Sequence, residues 1–269
     1  MQTIGRILKS LGSYLETSRI RLPDMDIEHI DAFLSAFNRP YARSTQRLYR
    51  SYLRCFLRYL YCERDLLRRN LAELVVGPPM FAKAKPPKFL RPHEIRQLFD
   101  RLPHSTSAEL RTYAMVHLAF FMGLRPSEIS RLTLDDIHFT EEQIALEDRK
   151  NTQPLQLPIP ESVLKAVTAY IVGARPESGD RTLFLLLTHP HKPMSPGLVG
   201  RYLTGALRSA SLNGTAYWLR HTYAQNLLES GAELFELKQM LGHDSIESTG
   251  KYLGIHVNLM RKVLFNEIL

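Results

Sequence analysis

Four side chains with the chemistry to act together on a phosphate group lie in the second half of the chain. They occupy three short stretches and one position beyond them: Arg125 in Gly123–Ile129, Arg220 in Leu219–Ala224, His243 in Leu241–Ile246, and Tyr252 nine residues after that histidine. Two guanidinium groups, which stay protonated and bind oxygens in pairs, suit the extra negative charge of a five-coordinate phosphorus. A phenol is a poor nucleophile near neutral pH, but neighbouring cations favour its phenolate form. The set therefore suits attack on a phosphodiester without a metal ion.

The order and spacing of these stretches resemble the catalytic domain of the tyrosine recombinases, also called the phage integrase family. The resemblance covers about Phe89 to Tyr252. Each stretch alone is common, but three in order with a tyrosine at this offset are specific. The chain is short and we expect no additional arm-binding module, which favours an Xer-like or transposon-type recombinase. The resemblance implies a mainly α fold, with a helical core-binding domain and a mostly α catalytic domain that holds a small three-stranded antiparallel sheet.

The resemblance also implies a role for each catalytic candidate. Arg125 and Arg220 match the two arginines that bind the scissile phosphate, and Tyr252 matches the nucleophile that becomes 3′-phosphotyrosine. Lys150 lies at the predicted turn between the second and third strands, where the family has a lysine that protonates the departing 5′ oxygen. His243 matches a histidine or tryptophan that hydrogen-bonds the scissile phosphate.

Three further residues support or depart from this pattern. Glu128, one helical turn after the first arginine, is expected to orient a catalytic group, and His221 matches a family histidine that we predict to be a buried hydrogen-bonding support. Tyr217 stands where the family usually has a histidine. A phenol can donate a hydrogen bond to phosphate, but it cannot become a cation or act as a base near pH 7. Proton acceptance from the nucleophile then falls to His243, or the arginines alone favour the phenolate; Tyr217 is also an alternative nucleophile, without the family offset.

The positive charge that could hold DNA lies in the first third of the chain. The net charge is +8; residues 1–88 contain 16 of the 35 Lys and Arg but only 8 of the 27 Asp and Glu, and the remainder is balanced. Four prolines and three lysines in residues 77–88 cannot continue a helix and indicate an extended linker. We predict a helical core-binding domain over residues 1–82, a linker over 83–88 and a catalytic domain over 89–269.

A row of arginines marks the longest helix predicted in the first domain, which Ser44 or Thr45 could cap and which runs to about Tyr61. Five arginines recur every three or four residues: Arg43, Arg47, Arg50, Arg54 and Arg58. This spacing places them on one stripe, where like charges repel unless an anion is present. A solvated basic face is the ordinary alternative, but the scarcity of interleaved acids favours contact with the DNA backbone. The apolar side of the helix is assigned to Leu48, Tyr52, Cys55, Phe56 and Tyr59.

Hydrophobic periodicity and turn residues predict the other elements. The first domain contains one further helix, Ile27–Phe37. The helices expected in the second domain are Pro92–Leu102, Ala108–Met122, Glu161–Ala174, Ser195–Ser211, Trp218–Ser230, Leu234–Leu241, Ile246–Leu253 and a final one near Val257–Ile268. The strands are Ile137–Phe139, Gln143–Glu147 and Leu155–Ile159. The resemblance implies that the C-terminal helix, residues 257–269, exchanges with a neighbouring protomer; docking on its own domain is the alternative.

Composition excludes several other classes of protein. The chain is 44% hydrophobic and 23% charged, and it has no run of about 18 apolar residues and no signal-peptide pattern, so we expect a cytoplasmic globular protein with no membrane partner. Two cysteines cannot form a disulfide framework or a four-ligand zinc site. His189 and His191 lack acidic or cysteine partners in the sequence. We therefore expect no metal and no cofactor.

The function that the resemblance implies is site-specific DNA recombination through a phosphotyrosyl intermediate and a Holliday junction, without metal or ATP. The expected partner is double-stranded DNA with paired recombination sites, bound by a homotetramer. Two alternatives stay open. The chain could be a catalytically impaired DNA-binding relative, or a type IB topoisomerase-like enzyme or telomere resolvase that uses the same chemistry.

Overall fold

Residues 2–77, 87–146 and 155–233 are described in a computed structural model of the chain. The chain divides into two units, Met1–Ala82 and Lys83–Leu269. Lys150, His243 and Tyr252 lie outside the described residues, as do most of the predicted linker and every helix predicted after residue 233. Among the described helices, none has the length and hydrophobicity needed to cross a membrane.

Three helices and two single 3-10 turns build the first unit. The helices are α1 (Gln2–Thr17), α2 (Ile27–Phe37) and α3 (Arg43–Cys62), with 3-10 turns at Leu22–Asp24 and Leu71–Glu73. Helix α2 has the predicted bounds, because Asp26 caps it by accepting from the His29 N–H while the His29 ring accepts from the Asp26 N–H. Helix α1 was not predicted as a separate element, and it buries Ile7 and Leu11 in the core of the unit.

Helix α3 corrects two predictions. It begins at Arg43 after an extended Ala42, so Ser44 and Thr45 lie within its first turn and neither caps it. Its buried residues are Tyr49, Leu53, Leu57 and Leu60. The predicted apolar side is wrong, since Leu48 and Tyr59 are 43% and 40% exposed, Cys55 is exposed, and Tyr52 and Phe56 are only partly buried. The side of the helix that contains the three buried leucines packs against the 3-10 turn at Leu71–Glu73 and against α1 instead.

The second unit is mostly helical, as predicted. Its helices are α4 (Pro92–Asp100), α5 (Ser107–Phe121), α6 (Pro126–Ile129), α7 (Glu161–Gly173), α8 (Pro196–Ser209) and α9 (Ala216–Glu229). Its strands are β1 (Ile137–His138), β2 (Gln143–Leu146) and β3 (Leu155–Pro158), which form an antiparallel sheet in the order β1-β2-β3. Ile144 of β2 lies opposite both Ile137 and Leu157, and all three are buried on one face. The predicted fold class is confirmed.

Helix α5 is the centre of the second unit. It is buried along most of its length and packs against α7, α8 and α9. A helix that is apolar on nearly all sides is suited to the middle of a domain, and Thr106 caps its start by accepting from the Glu109 N–H. The end of α5 therefore delivers the chain into the interior of the unit, next to α9.

Candidate active site

A glycine turn between α5 and α6 sets the position of Arg125. Gly123 has a φ of +62°, a conformation that residues with a side chain rarely adopt. A Cβ at this position would lie 2.3 Å from Cδ1 of Tyr223 on α9. Both constraints require glycine. The chain then passes through extended Arg125 to Pro126, which starts α6 with the fixed φ that suits a first helical residue.

Glu128 holds two arginines that are far apart in sequence. Its Oε1 lies 2.7 Å from an Nη atom of Arg125, and its Oε2 accepts from the Arg125 backbone N–H at 2.7 Å. The same Oε2 lies 3.5 Å from Nη1 of Arg220 on α9. Arg220 also donates to the carbonyl oxygen of Gly123, at 2.5 Å. The structure thus brings together two of the predicted phosphate-binding residues around one carboxylate.

Burial makes this cluster a fixed feature of the interior. The Arg220 and Glu128 side chains are 4% and 5% exposed, whereas Arg125 is 30% exposed. Buried charges are tolerated only when they are paired and hydrogen-bonded, and these are. The three side chains together carry a charge of +1, with the solvent-accessible part on Arg125. Because these guanidinium groups are already held in place, binding an anion would cost little further side-chain entropy.

The other candidates on α9 are close to Arg220 in sequence. Tyr217 lies three residues earlier, in the first turn, and is 53% exposed. His221, predicted to be a buried support, is only half-buried. Two supporting features carried no signal in the sequence that pointed to a role: the Gly123 carbonyl that anchors Arg220, and the Tyr223 ring against which Gly123 packs. Both depend on the meeting of α5 with α9.

The remaining catalytic candidates are Lys150, His243 and Tyr252. They lie outside the described residues, and their placement stays a prediction. Lys150 belongs, in sequence, to the connection between β2 and β3, which are antiparallel neighbours. That is the connection on which it was expected.

The arginine stripe of α3 forms a separate basic surface in the first unit. Its five members, of which four are exposed and Arg50 is half-buried, are Arg43, Arg47, Arg50, Arg54 and Arg58. Within the described residues none of them forms an ion pair with an acidic side chain. By contrast, Arg21 and Arg68 both pair with Asp24, at 2.7 and 2.9 Å. Among the described residues, the stripe is thus a place in this unit where positive charge is concentrated and not paired with acidic side chains.

Residues 88–258, well over half of the chain, match the family model described as the phage integrase family. The chain therefore belongs to the phage integrase family, the tyrosine recombinases. The match agrees with the extent of the resemblance seen in the sequence, and the predicted family is confirmed.

Among curated proteins, the chain is similar to Xer recombinases. It is 27% identical to the tyrosine recombinase XerC of Bacillus subtilis, over 84% of this chain and 75% of that protein. It is also 27% identical to the tyrosine recombinase XerD of Listeria innocua, over 95% of this chain and 87% of that protein. It is 31% identical to the tyrosine recombinase XerD of Corynebacterium glutamicum, over 70% of this chain and 63% of that protein.

Solved structures share the fold. The XerH site-specific recombinase bound to a palindromic difH substrate, in a post-cleavage complex, aligns with a TM-score of 0.79 at 16% identity, over 98% of this chain and 78% of that one. A lambda integrase dimer bound to a core site aligns with a TM-score of 0.62 at 19% identity, over 92% of this chain and 88% of that one. At these identities the likeness establishes the architecture.

Proposed function

We propose that this protein is a site-specific DNA recombinase that cuts and rejoins DNA through a 3′-phosphotyrosyl intermediate at Tyr252. The observation that carries the proposal is the pair of guanidinium groups held by Glu128, in a chain of the tyrosine recombinase family. Two strand exchanges, one after the other, would pass through a Holliday junction. Four copies of the chain on two paired sites are the assembly that such exchange requires.

In the cleavage step, the Tyr252 oxygen attacks the scissile phosphorus, and the bond from phosphorus to the 5′ oxygen breaks. Arg125 and Arg220 hold the non-bridging oxygens, whose negative charge grows in the transition state. Lys150 gives its proton to the departing 5′ oxygen, and His243 hydrogen-bonds the phosphate. The phenolic proton passes to His243 or is lost beforehand, since the arginines favour the phenolate. The phosphotyrosyl bond conserves the energy of the broken bond, so rejoining needs no ATP, and the guanidinium charges take the place of a metal ion.

Tyr217 takes the place of the usual family histidine as a hydrogen-bond donor to the phosphate. It lies on the first turn of α9, three residues before Arg220, so both side chains project from one side of the helix. His221 and Glu128 support the arginines rather than touch DNA.

The first unit would grip the DNA backbone through the arginine stripe of α3, as a core-binding domain over residues 1–82. A linker over 83–88 joins it to the catalytic domain over 89–269. The XerH and lambda integrase structures, which share the fold, are complexes with DNA. The C-terminal segment, residues 257–269, would dock on a neighbouring protomer and couple the active sites of the tetramer.

The nucleophile is tested by a nicked duplex that carries the target site, obtained by selecting bound DNA from a random pool. The wild type should leave a covalent protein–DNA band in a denaturing gel, and Tyr252→Phe should leave none, because the phenylalanine ring has no oxygen to attack phosphorus. Tyr217→Phe is the matched control and should retain the band. A band that persists in Tyr252→Phe and is lost in Tyr217→Phe would make Tyr217 the nucleophile.

The same substrate separates the alternative functions. Tight DNA binding by the wild type without any covalent band would identify an impaired DNA-binding relative. Relaxation of a supercoiled plasmid that lacks the target site would indicate a topoisomerase, and formation of hairpin ends would indicate a telomere resolvase. Exchange that depends on two paired sites is the result that recombination predicts.

The arginine stripe is tested by the salt dependence of DNA binding. Each phosphate contact contributes about 0.9 to the slope of log affinity against log salt, so Arg47→Gln with Arg54→Gln should reduce the slope by about 2. The matched control, Arg21→Gln with Arg68→Gln, removes two arginines that share the Asp24 carboxylate and lie outside the stripe, and it should leave the slope nearly unchanged. An unaltered slope in the stripe variant would mean that the stripe faces solvent.

A further inference from the structure

The chain that leaves the linker is fastened to α9, the helix that carries Arg220. The backbone N–H of Leu90 donates to Oγ1 of Thr222 at 2.9 Å, and both residues are buried. Two residues earlier, Nζ of Lys88 lies 5.7 Å from the centre of the Trp218 ring, a cation–π contact. We refer to residues 88–90 as the strap.

Thr222 uses its hydroxyl twice. It accepts from Leu90 and donates to the carbonyl oxygen of Trp218, at 2.7 Å, so its single proton and one lone pair are both engaged. Trp218 and Thr222 lie two residues before and two residues after Arg220. The strap therefore holds the helical turn from which the Arg220 guanidinium extends toward Glu128.

The start of α9 depends on contacts of this kind. Thr215, at the N-cap position, makes no side-chain capping bond. The first N–H of the helix, from Ala216, instead donates to Oγ1 of Thr204 on α8 at 3.3 Å. On α4, which follows the strap in sequence, Gln97 donates to the Ala210 carbonyl at 2.6 Å, just after α8 ends. The segment from the strap to α4 thus braces both α9 and the end of the helix before it.

We propose that Thr222 is a positioning residue for cleavage: by joining the strap to α9 it fixes the Arg220 guanidinium against the Gly123 carbonyl and Glu128. Of the two contacts from the strap to α9, the hydrogen bond to Thr222 is the buried one, whereas Lys88 contacts the Trp218 ring from an exposed position. The proposal rests on the proposed function, since it assigns Thr222 to the same phosphate-binding site.

The test compares Thr222→Val with Thr222→Ser in single-turnover cleavage of the nicked duplex at saturating DNA. Valine keeps the shape and removes the hydroxyl, so cleavage should slow about tenfold with the dissociation constant for DNA unchanged. Serine keeps the hydroxyl and should cleave within about twofold of the wild type. The control is Thr112→Val. The hydroxyl of Thr112 also donates to a carbonyl oxygen four residues back, that of Ala108, but it is not bonded to the strap. This variant should cleave like the wild type.

A duplex with a methylphosphonate at the scissile position shows whether Thr222 acts through Arg220. This group lacks one charged oxygen, so its transition state depends less on stabilisation by a guanidinium group. The difference in cleavage rate between the wild type and Thr222→Val should therefore shrink to about twofold. Cleavage by Thr222→Val at the wild-type rate would overturn the proposal, and so would a defect of equal size on the methylphosphonate. Absence of cleavage by the wild type would instead overturn the proposed function.

Discussion

Replacing Arg220 by alanine should lower single-turnover cleavage about a thousandfold and leave DNA affinity within about threefold of the wild type. The Arg220 side chain is 4% exposed, and it is fixed by the Gly123 carbonyl and by Glu128, so the variant loses a guanidinium group that is held in one position. Its charge acts mainly in the transition state, when the phosphate oxygens gain negative charge, and this is why binding is spared. Cleavage on the nicked duplex and binding in a native gel measure the two quantities separately.

Lysine at the same position should restore only part of the rate. An ammonium group keeps the charge but lacks the planar fork that can hold the carbonyl oxygen and a phosphate oxygen together, so Arg220→Lys should stay at least about tenfold slow. Arg181→Ala removes an exposed arginine that pairs with Asp135 in the same unit, and it should cleave normally. Wild-type cleavage by Arg220→Ala would remove this residue from the active site.

Replacing Glu128 by alanine should reduce the free energy of unfolding by about 3 kcal/mol. The carboxylate is 5% exposed and accepts two bonds from Arg125 while it faces Arg220, so its removal leaves two neighbouring cations without their shared counter-charge. Urea unfolding measures the loss. Cleavage should fall about a hundredfold as well, because neither guanidinium keeps its position.

Two controls distinguish charge from shape at this position. Glu128→Gln keeps the volume and one acceptor oxygen, so it should lose less stability than the alanine variant. Sulfate should raise the free energy of unfolding of Glu128→Ala more than that of the wild type, because an anion between the arginines replaces the lost carboxylate. If Glu128→Ala unfolds at the wild-type urea concentration, the carboxylate does not hold the two arginines.

Helix positions followed from the sequence where local signals agreed with the tertiary fold. Asp26 marks the start of α2, and short runs that contain Ile or Leu between polar turns mark the three strands. The buried face of α3 did not follow, because apolar residues lie on more than one side of this helix and packing against the 3-10 turn at Leu71–Glu73 and against α1 decides which side is buried. Helix α1 was missed since Gly5 and Gly12 weaken its propensity, and the burial of Ile7 and Leu11 compensates.

The candidate site could be predicted as a set of residue types but not as a geometry. The spacing of Arg125 and Glu128 predicts contact one helical turn apart, and the structure shows it. The approach of Arg220 to the same carboxylate joins segments 92 residues apart, which no local pattern encodes. The Gly123 carbonyl contact likewise depends on how α5 ends against α9.

The unpaired arginines of α3 also make the first unit thermodynamically dependent on its solution. Like charges along one face oppose the helix that carries them, so the free protein is least stable at low ionic strength, where this repulsion is unscreened. Any polyanion that binds the face, DNA or heparin alike, raises the melting temperature by mass action. A polyanion on this face would thus return the folding stability that the repulsion between the arginines costs.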